Sequence, residues 1–261
     1  MAAVDVRTEE RTGIITINRP ESLNAWTMAM QRRIADIVTA MGDDDGVDAV
    51  VITGAGERAF CAGQDLKESS AFTEADTGPW LDGFLQCYSA ILGCPKPVVA
   101  AINGVAAGSG YQLAMVCDIR VAHPDVRIGQ PEVSSGIPSV TGLYLTWQSL
   151  GHSRTVELML SGRLMPADEA ERVGVLHRVV PRAEVLPAAI AYARQLADQP
   201  RLAFRLTKQR VFDTLRPGLL DSFAAARETD RQAWAAGEPQ RTGERFLRER
   251  GERAPAPVAG N

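Results

Sequence analysis

Asn103-Gly104-Val105-Ala106-Ala107-Gly108-Ser109-Gly110-Tyr111-Gln112 joins a buried apolar strand, Pro97 to Ile102, to a short helical run, Ser109 to Met115. A helix entered through glycines presents unpaired backbone N–H groups and the positive end of its dipole. That suits an anion or a developing oxyanion. The same residues equally serve close packing of a helix start against a sheet, so the stretch by itself defines a strand–turn–helix unit and leaves its chemistry open.

Reading outward, strands and helices mix on both sides. Val4, Val6 and Thr8 lead through a turn at Arg11-Thr12-Gly13 to Ile14, Ile15 and Ile17, a strand stopped by Pro20. Met30, Ile34, Ile37, Val38 and Met41 recur at three- and four-residue steps, which predicts a helix from about Thr27 to Met41. A buried strand follows over Asp48 to Thr53. A second helix begins near Pro79, with Trp80, Leu81, Phe84, Leu85, Tyr88, Ile91 and Leu92 on its apolar face. Beyond the quoted stretch come short strands at Ile119 to Ala122 and Val126 to Ile128. From Ser139 onward helical patterns dominate, and His177 to Val180 is the one strand expected there. The helices are predicted over Leu143–Leu150, Thr155–Leu160, Asp168–Val173, Ala188–Ala197, Leu202–Phe212 and Leu219–Trp234. This order implies one α/β core with a helical C-terminal region and a Pro-, Ala- and Gly-rich tail from Gly251 to Asn261.

Composition argues against several classes of function. The net charge is -4 and no block of basic residues occurs, which argues against a nucleic-acid partner. The longest apolar-rich run, Pro97 to Met115, is interrupted by Asn103, Gly104, Gly108, Ser109, Gly110 and Gln112, too polar to span a bilayer. No secretory leader pattern opens the chain, and Cys61, Cys87, Cys94 and Cys117 follow no repeat, so free thiols in a cytoplasmic setting are expected. His123, His152 and His177 lack ligand spacing, so no metal is expected.

Four motifs bear on chemistry. Gly54-Ala55-Gly56-Glu57-Arg58-Ala59 fits a dinucleotide fingerprint, but Phe60-Cys61-Ala62-Gly63 leaves no room for the receiving helix, and a simple turn is the preferred reading. Ala59-Phe60-Cys61-Ala62-Gly63-Gln64-Asp65-Leu66-Lys67 is a small-residue loop able to aim backbone N–H groups at an oxygen. The quoted stretch is the third. The fourth is Gly129-Gln130-Pro131-Glu132, where a carboxylate fixed by proline beside an apolar strand is expected to be partly desolvated and its pKa raised.

Taken together, these loops and their order resemble the enoyl-CoA hydratase/isomerase (crotonase) family from about Val4 to Phe246. The matching segments are Ile17 to Ala25, Ala59 to Lys67, Ala101 to Asp118, Gly129 to Pro138, and Leu160 to Ala170. The resemblance implies an α/β, crotonase-like spiral of ββα units with a helical C-terminal trimerisation region. On that expectation the chain is a single domain, with residues 1–200 as spiral core, 201–250 as C-terminal helices and 251–261 as loose tail, assembled as a homotrimer or homohexamer. It also implies an acyl-CoA substrate, with coenzyme A entering as part of the thioester and no separate cofactor. The backbone N–H groups of Gln64 and Ser109 would form the oxyanion hole, so that Ser109→Ala is nearly silent. Leu23, Asn24, Ala25, Ala62, Gln64, Asp65, Leu66, Lys67 and Gly108 would line the coenzyme A and substrate path. Trp80, Phe84 and Tyr88 match the acyl pocket.

One departure decides the expected reaction. Hydratases of the family hold a water between two glutamates; Glu132 matches the second, and Gln112 stands at the first. An amide orients a water but accepts no proton at neutral pH. A proton shift in an unsaturated acyl-CoA with Glu132 as sole base is therefore favoured. Hydration with Gln112 merely positioning water, or acyl-CoA binding without turnover, are the alternatives; decarboxylation and thioester hydrolysis also stay open.

Overall fold

The computed structural model describes residues 2–249, so the tail expected over 251–261 lies outside the described residues. The chain opens with β1 (Val4–Glu9), β2 (Thr12–Ile17), α1 (Met28–Asp43), β3 (Ala49–Gly54), β4 (Ala59–Cys61), α2 (Leu66–Ser69) and α3 (Thr77–Gly93). It continues with β5 (Val98–Ile102), β6 (Val105–Ala107), α4 (Ser109–Val116), β7 (Ile119–Ala122), β8 (Arg127–Gly129) and α5 (Val140–Ser161). The remainder is β9 (Leu164–Pro166), α6 (Ala167–Arg172), β10 (Arg178–Val179), α7 (Val185–Ala197), α8 (Arg201–Ala235) and α9 (Glu238–Glu249).

Among the described residues two sheets form, one in the order β1-β2-β3-β5-β7-β10 and one in the order β4-β6-β8-β9. The successive pairs β3–β4, β5–β6 and β7–β8 each give one strand to either sheet before the chain enters a helix. Each pass therefore adds a ββα turn, and β3, β5 and β7 pair in parallel in one sheet while β4, β6 and β8 do so in the other. This is the crotonase-type spiral. The inner strands β3 and β5 are covered on both faces, which explains why they read as near-continuous apolar runs. One face meets α1 and α3 in a large core that includes Ile15, Ile34, Val50, Ile52 and Ile91. The other face packs Ile14, Val51, Val99 and Val121 on Ala189, Ile190 and Ala193 of α7.

The structure corrects several expectations. The first hairpin turns at Glu10-Arg11, both with positive φ (43° and 65°), one residue before the predicted turn. β4 and β6 lie where only loops were expected. Three residues are too few to show the alternation that marks a strand, and their pairing with each other supplies what the sequence pattern lacks. β9 adds a strand to the half expected to hold almost none, and α2 and α9 were not anticipated. The two helices predicted over 143–160 are one element kinked at Gly151 (φ 66°, ψ -173°). The two predicted over 202–234 are continuous as α8, which passes through Pro217. After β3 the chain turns directly into β4, so no helix follows the Gly54–Ala59 motif and the turn reading stands. A Cβ at Gly54 would lie 2.4 Å from Ala59 O, which is why that turn requires glycine.

Candidate active site

Two loops are laced together at the mouth of the site. Ala62 N–H donates to Leu23 O (3.1 Å), Trp26 N–H to Gly63 O (3.0 Å) and Asp65 N–H to Trp26 O (2.9 Å). Asn24 sits at φ 56° with no exposed surface, and its amide donates to Ala55 O (2.9 Å) and Ala59 O (2.7 Å). Asp65 caps α2 by accepting from the Lys67 and Glu68 N–H groups, and its other oxygen pairs with Arg19 at 2.6 Å. The side chains of Asn24 and Asp65 are thus used to shape the loops. Leu23, Ala25, Ala62 and Leu66 keep partial exposure, and Lys67 is exposed beside them.

Gly63 (φ 100°) turns this loop against the start of α4, and a Cβ there would lie 2.9 Å from Ala107 O and 3.5 Å from Ser109 N. The backbone N–H groups of Gln64 and Ser109 are thereby brought to one rim, and neither donates to another group among the described residues. The Gln64 side chain is fixed from three sides: its oxygen accepts from Gln31 (3.0 Å) and Trp80 (2.9 Å), and its nitrogen donates to Glu68 (2.6 Å).

Ser109 has a second role that sequence reading missed. Its buried Oγ accepts the indole N–H of Trp26 at 2.8 Å. Ser109→Ala leaves that donor unpaired in the core and is expected to lower stability by about 1–3 kcal/mol. Turnover should stay within about threefold, since catalysis would call only on the backbone N–H. A lower urea midpoint with unchanged slope and near-normal turnover would establish this; a large loss of turnover in folded protein would mean that the hydroxyl takes part.

Glu132 lies on a single 3-10 turn (Glu132–Ser135) after β8. Its carboxylate rests on Gly108, where a Cβ would come 2.8 Å from Oε1. Burial pushes its pKa up to about 8, and the charge of Asp230 adds to the rise, against hydrogen bonds from its own backbone N–H and from the Gln112 side chain. The residue keeps partial exposure, so the carboxyl is desolvated yet reachable.

The Gln112 amide is held in one orientation. Its oxygen accepts from Tyr88 Oη (3.2 Å) and Thr141 Oγ1 (2.9 Å), leaving its nitrogen to face Glu132. Fully buried Gln130 completes the cluster. With its amide turned to satisfy every partner, its nitrogen donates to Gly108 O (2.8 Å) and Glu132 Oε1 (3.1 Å), and its oxygen accepts from Gln112 Nε2 (3.1 Å). Gly142 makes the room, because a Cβ there would fall on the side-chain amide of Gln130. Sequence reasoning quoted Gln130 inside a motif without assigning it a task.

Asp230 was missed altogether. It lies on α8 in the cavity that also receives Gln64, Trp80, Phe84, Ser109, Gln112 and Glu132. It is 3% exposed, and its Oδ1 has no hydrogen-bond partner among the described residues. The signal was present: Leu219, Phe223, Ala226, Asp230 and Trp234 recur at three- and four-residue steps, and an aspartate interrupts that otherwise apolar stripe. Trp80 and Phe84 form the aromatic wall, with ring centroids 5.2 Å apart, and Trp80 stands 5.2 Å from Trp234 of α8.

A spiral of ββα turns that brings Gln64, Ser109 and the desolvated carboxyl of Glu132 to one aromatic-walled cavity defines a crotonase-fold protein. The enoyl-CoA hydratase/isomerase family profile matches residues 7–251, and the chain belongs to that family. A probable enoyl-CoA hydratase of Mycobacterium bovis is 32% identical over 231 residues, covering 88% of this chain and 89% of that protein. A crotonyl-CoA hydratase of Syntrophomonas wolfei is 35% identical over 201 residues, 77% of each chain. The crystal structure of an enoyl-CoA hydratase/isomerase from Xanthobacter autotrophicus Py2 superposes with a TM-score of 0.85 at 29% identity, covering 95% of this chain and 93% of that one. The family acts on acyl-CoA substrates. No helix among the described residues is long and apolar enough to cross a membrane.

Proposed function

We propose that this enzyme moves a double bond within an unsaturated acyl-CoA thioester, with Glu132 as the base that removes the first proton. The thioester oxygen accepts from the Gln64 and Ser109 N–H groups, and coenzyme A, carried in by the substrate, runs along the laced loops at Leu23–Ala25 and Ala62–Lys67. Stabilisation of an enolate by two fixed donors is worth several kcal/mol in such sites. One observation carries the reading: the Gln112 oxygen is occupied by Tyr88 and Thr141, so the side chain offers Glu132 a donor and offers water no base. Glu132 supplies the complementary property, a carboxyl whose pKa lies near the working pH. A homotrimer or homohexamer is the assembly this reading carries with it.

Hydration is the second reading, favoured by the names of the relatives, several of which are hydratases. The two are separated by mass spectrometry of reactions with 2-enoyl, 3-enoyl, malonyl-type and aryl-acryloyl thioesters, using Glu132→Gln as control. An isomerase leaves the mass unchanged and shifts the double bond. A hydratase adds the mass of water to crotonyl-CoA, and that result would overturn the isomerase reading.

A further inference from the structure

The geometry points to Asp230 as a second catalytic residue, which carries the proton at the far end of the double-bond shift while Glu132 works beside the thioester. The inference rests on the isomerase reading above.

Asp230 belongs to the cavity and to no structural network. Its carboxyl is almost wholly buried, one oxygen is unpartnered, and no arginine, lysine or histidine pairs with it among the described residues. A buried carboxyl that shapes a fold is normally satisfied, as Asp65 is by Arg19 and two N–H groups. One left open at the wall of a reaction cavity is available to substrate. Of α8, Ala226 and Asp230 line the cavity and Asp230 is the polar one; the indole N–H of Trp234, one turn on, is buried and likewise without a partner among the described residues.

The two carboxyls enter from separate elements. Glu132 sits on the turn after β8, against Gly108 and next to the two N–H donors, which places it at the carbon adjacent to the thioester. Asp230 comes from α8, whose Ala226 and Trp234 pack with the aromatic wall of α3 along the acyl path. Burial raises the pKa of Asp230 to about 7, and its charge helps raise that of Glu132. Two like charges sharing one cavity hold a proton between them near neutrality; Glu132 is the more strongly raised of the two, so the step draws on the form in which that proton has passed to Asp230 and left Glu132 ionised. Gln112 and Gln130, the polar neighbours of Glu132, are both neutral.

The step balances without a further reactant. For a 3-enoyl thioester, ionised Glu132 removes a proton from C2, and the C–H electron pair forms C1=C2 as the carbonyl oxygen takes up negative charge. The oxygen then reforms its carbonyl, the double bond passes to C2=C3, and the C3=C4 electrons take the proton of Asp230 at C4. Glu132 ends protonated and Asp230 ionised; a proton passing from one to the other restores the enzyme.

The test compares two readouts in the full chain: exchange of C2 hydrogen in D2O, and the 3-enoyl to 2-enoyl shift. Asp230→Asn is expected to retain exchange within about fivefold and to lose the shift by about 100-fold or more. Asp230→Leu, which removes the unpaired polar group and fits the apolar stripe, should behave alike and guards against a folding defect in the amide variant. A shift retained in both variants overturns the role. So does equal loss of exchange and shift with acyl-CoA binding intact, since Asp230 would then act only through Glu132. Wild-type enzyme that exchanges C2 hydrogen but never moves the double bond overturns the isomerase reading and this inference together, a result visible before any variant is made.

Discussion

Replacing Glu132 with Gln is expected to reduce turnover by at least about 1,000-fold while acyl-CoA binding survives. The amide keeps the shape of the side chain and its neighbours on Gly108, but it takes no proton, and general base catalysis of this kind contributes about 10²–10⁴-fold. The wild-type pH profile should carry the same group. Glu132 and Asp230 are raised to about 8 and about 7, so kcat/KM should pass through a maximum near neutrality, where the pair holds one proton, and fall on either side. The stability contributed by Glu132 should change in one direction only. In the unfolded chain the carboxyl titrates near 4.5 and in the folded chain near 8, so between these values the folded state holds a proton that the unfolded state releases. Stability contributed by this group therefore falls as pH rises from about 5 to 8, by on the order of 4 kcal/mol. Glu132→Gln lacks that titration. It should match wild type near pH 5 and exceed it clearly at pH 9 in thermal or urea unfolding. Equal melting of the two proteins at pH 9 would show that the carboxyl is not held desolvated.

Gly108→Ala should be nearly as damaging to activity and should cost stability as well. Gly108 has φ 59° and ψ -129°, a region in which L-residues with a side chain are strained. The new methyl would also lie 2.8 Å from Glu132 Oε1, 3.4 Å from its Cδ and 3.8 Å from Oε2. The carboxyl must move, and with it the acceptor that Gln130 holds. Displacement of a reacting group by about 1 Å costs on the order of 100-fold in rate, and backbone strain adds about 1–3 kcal/mol of destabilisation. Circular dichroism melting together with turnover on the best acyl-CoA would measure both. Full activity in a stable Gly108→Ala protein would mean that Glu132 does not work from this position.

Much of the fold was legible because local pattern and tertiary role agree. β2, β3 and β5 are largely apolar and buried along almost their whole length because both faces are covered, and α1 shows a clean stripe because one of its faces meets the sheet. The same correspondence failed for β4, β6 and β9. Each is three residues long, and each exists through pairing with a chain segment distant in sequence. The join of α8 across Pro217 was also out of reach, because a proline in a helical pattern signals an end unless packing holds the helix together.

The sequence by itself singled out Glu132 as an acid held beside an apolar strand, Gln112 as an amide where the family resemblance places a second acid, and glycines at the entry to α4. Those are properties of residue type and order, readable without coordinates. Only the tertiary structure decided what each is set against. It turned Gln112 so that its oxygen is spent, gave Gln130 the task of holding Glu132, tied Ser109 to Trp26, and brought Asp230 from α8 into the cavity of a turn nearly one hundred residues earlier in the chain. Burial, hydrogen-bond direction and the field between two carboxyls depend on distances across the fold, and a linear pattern carries none of them.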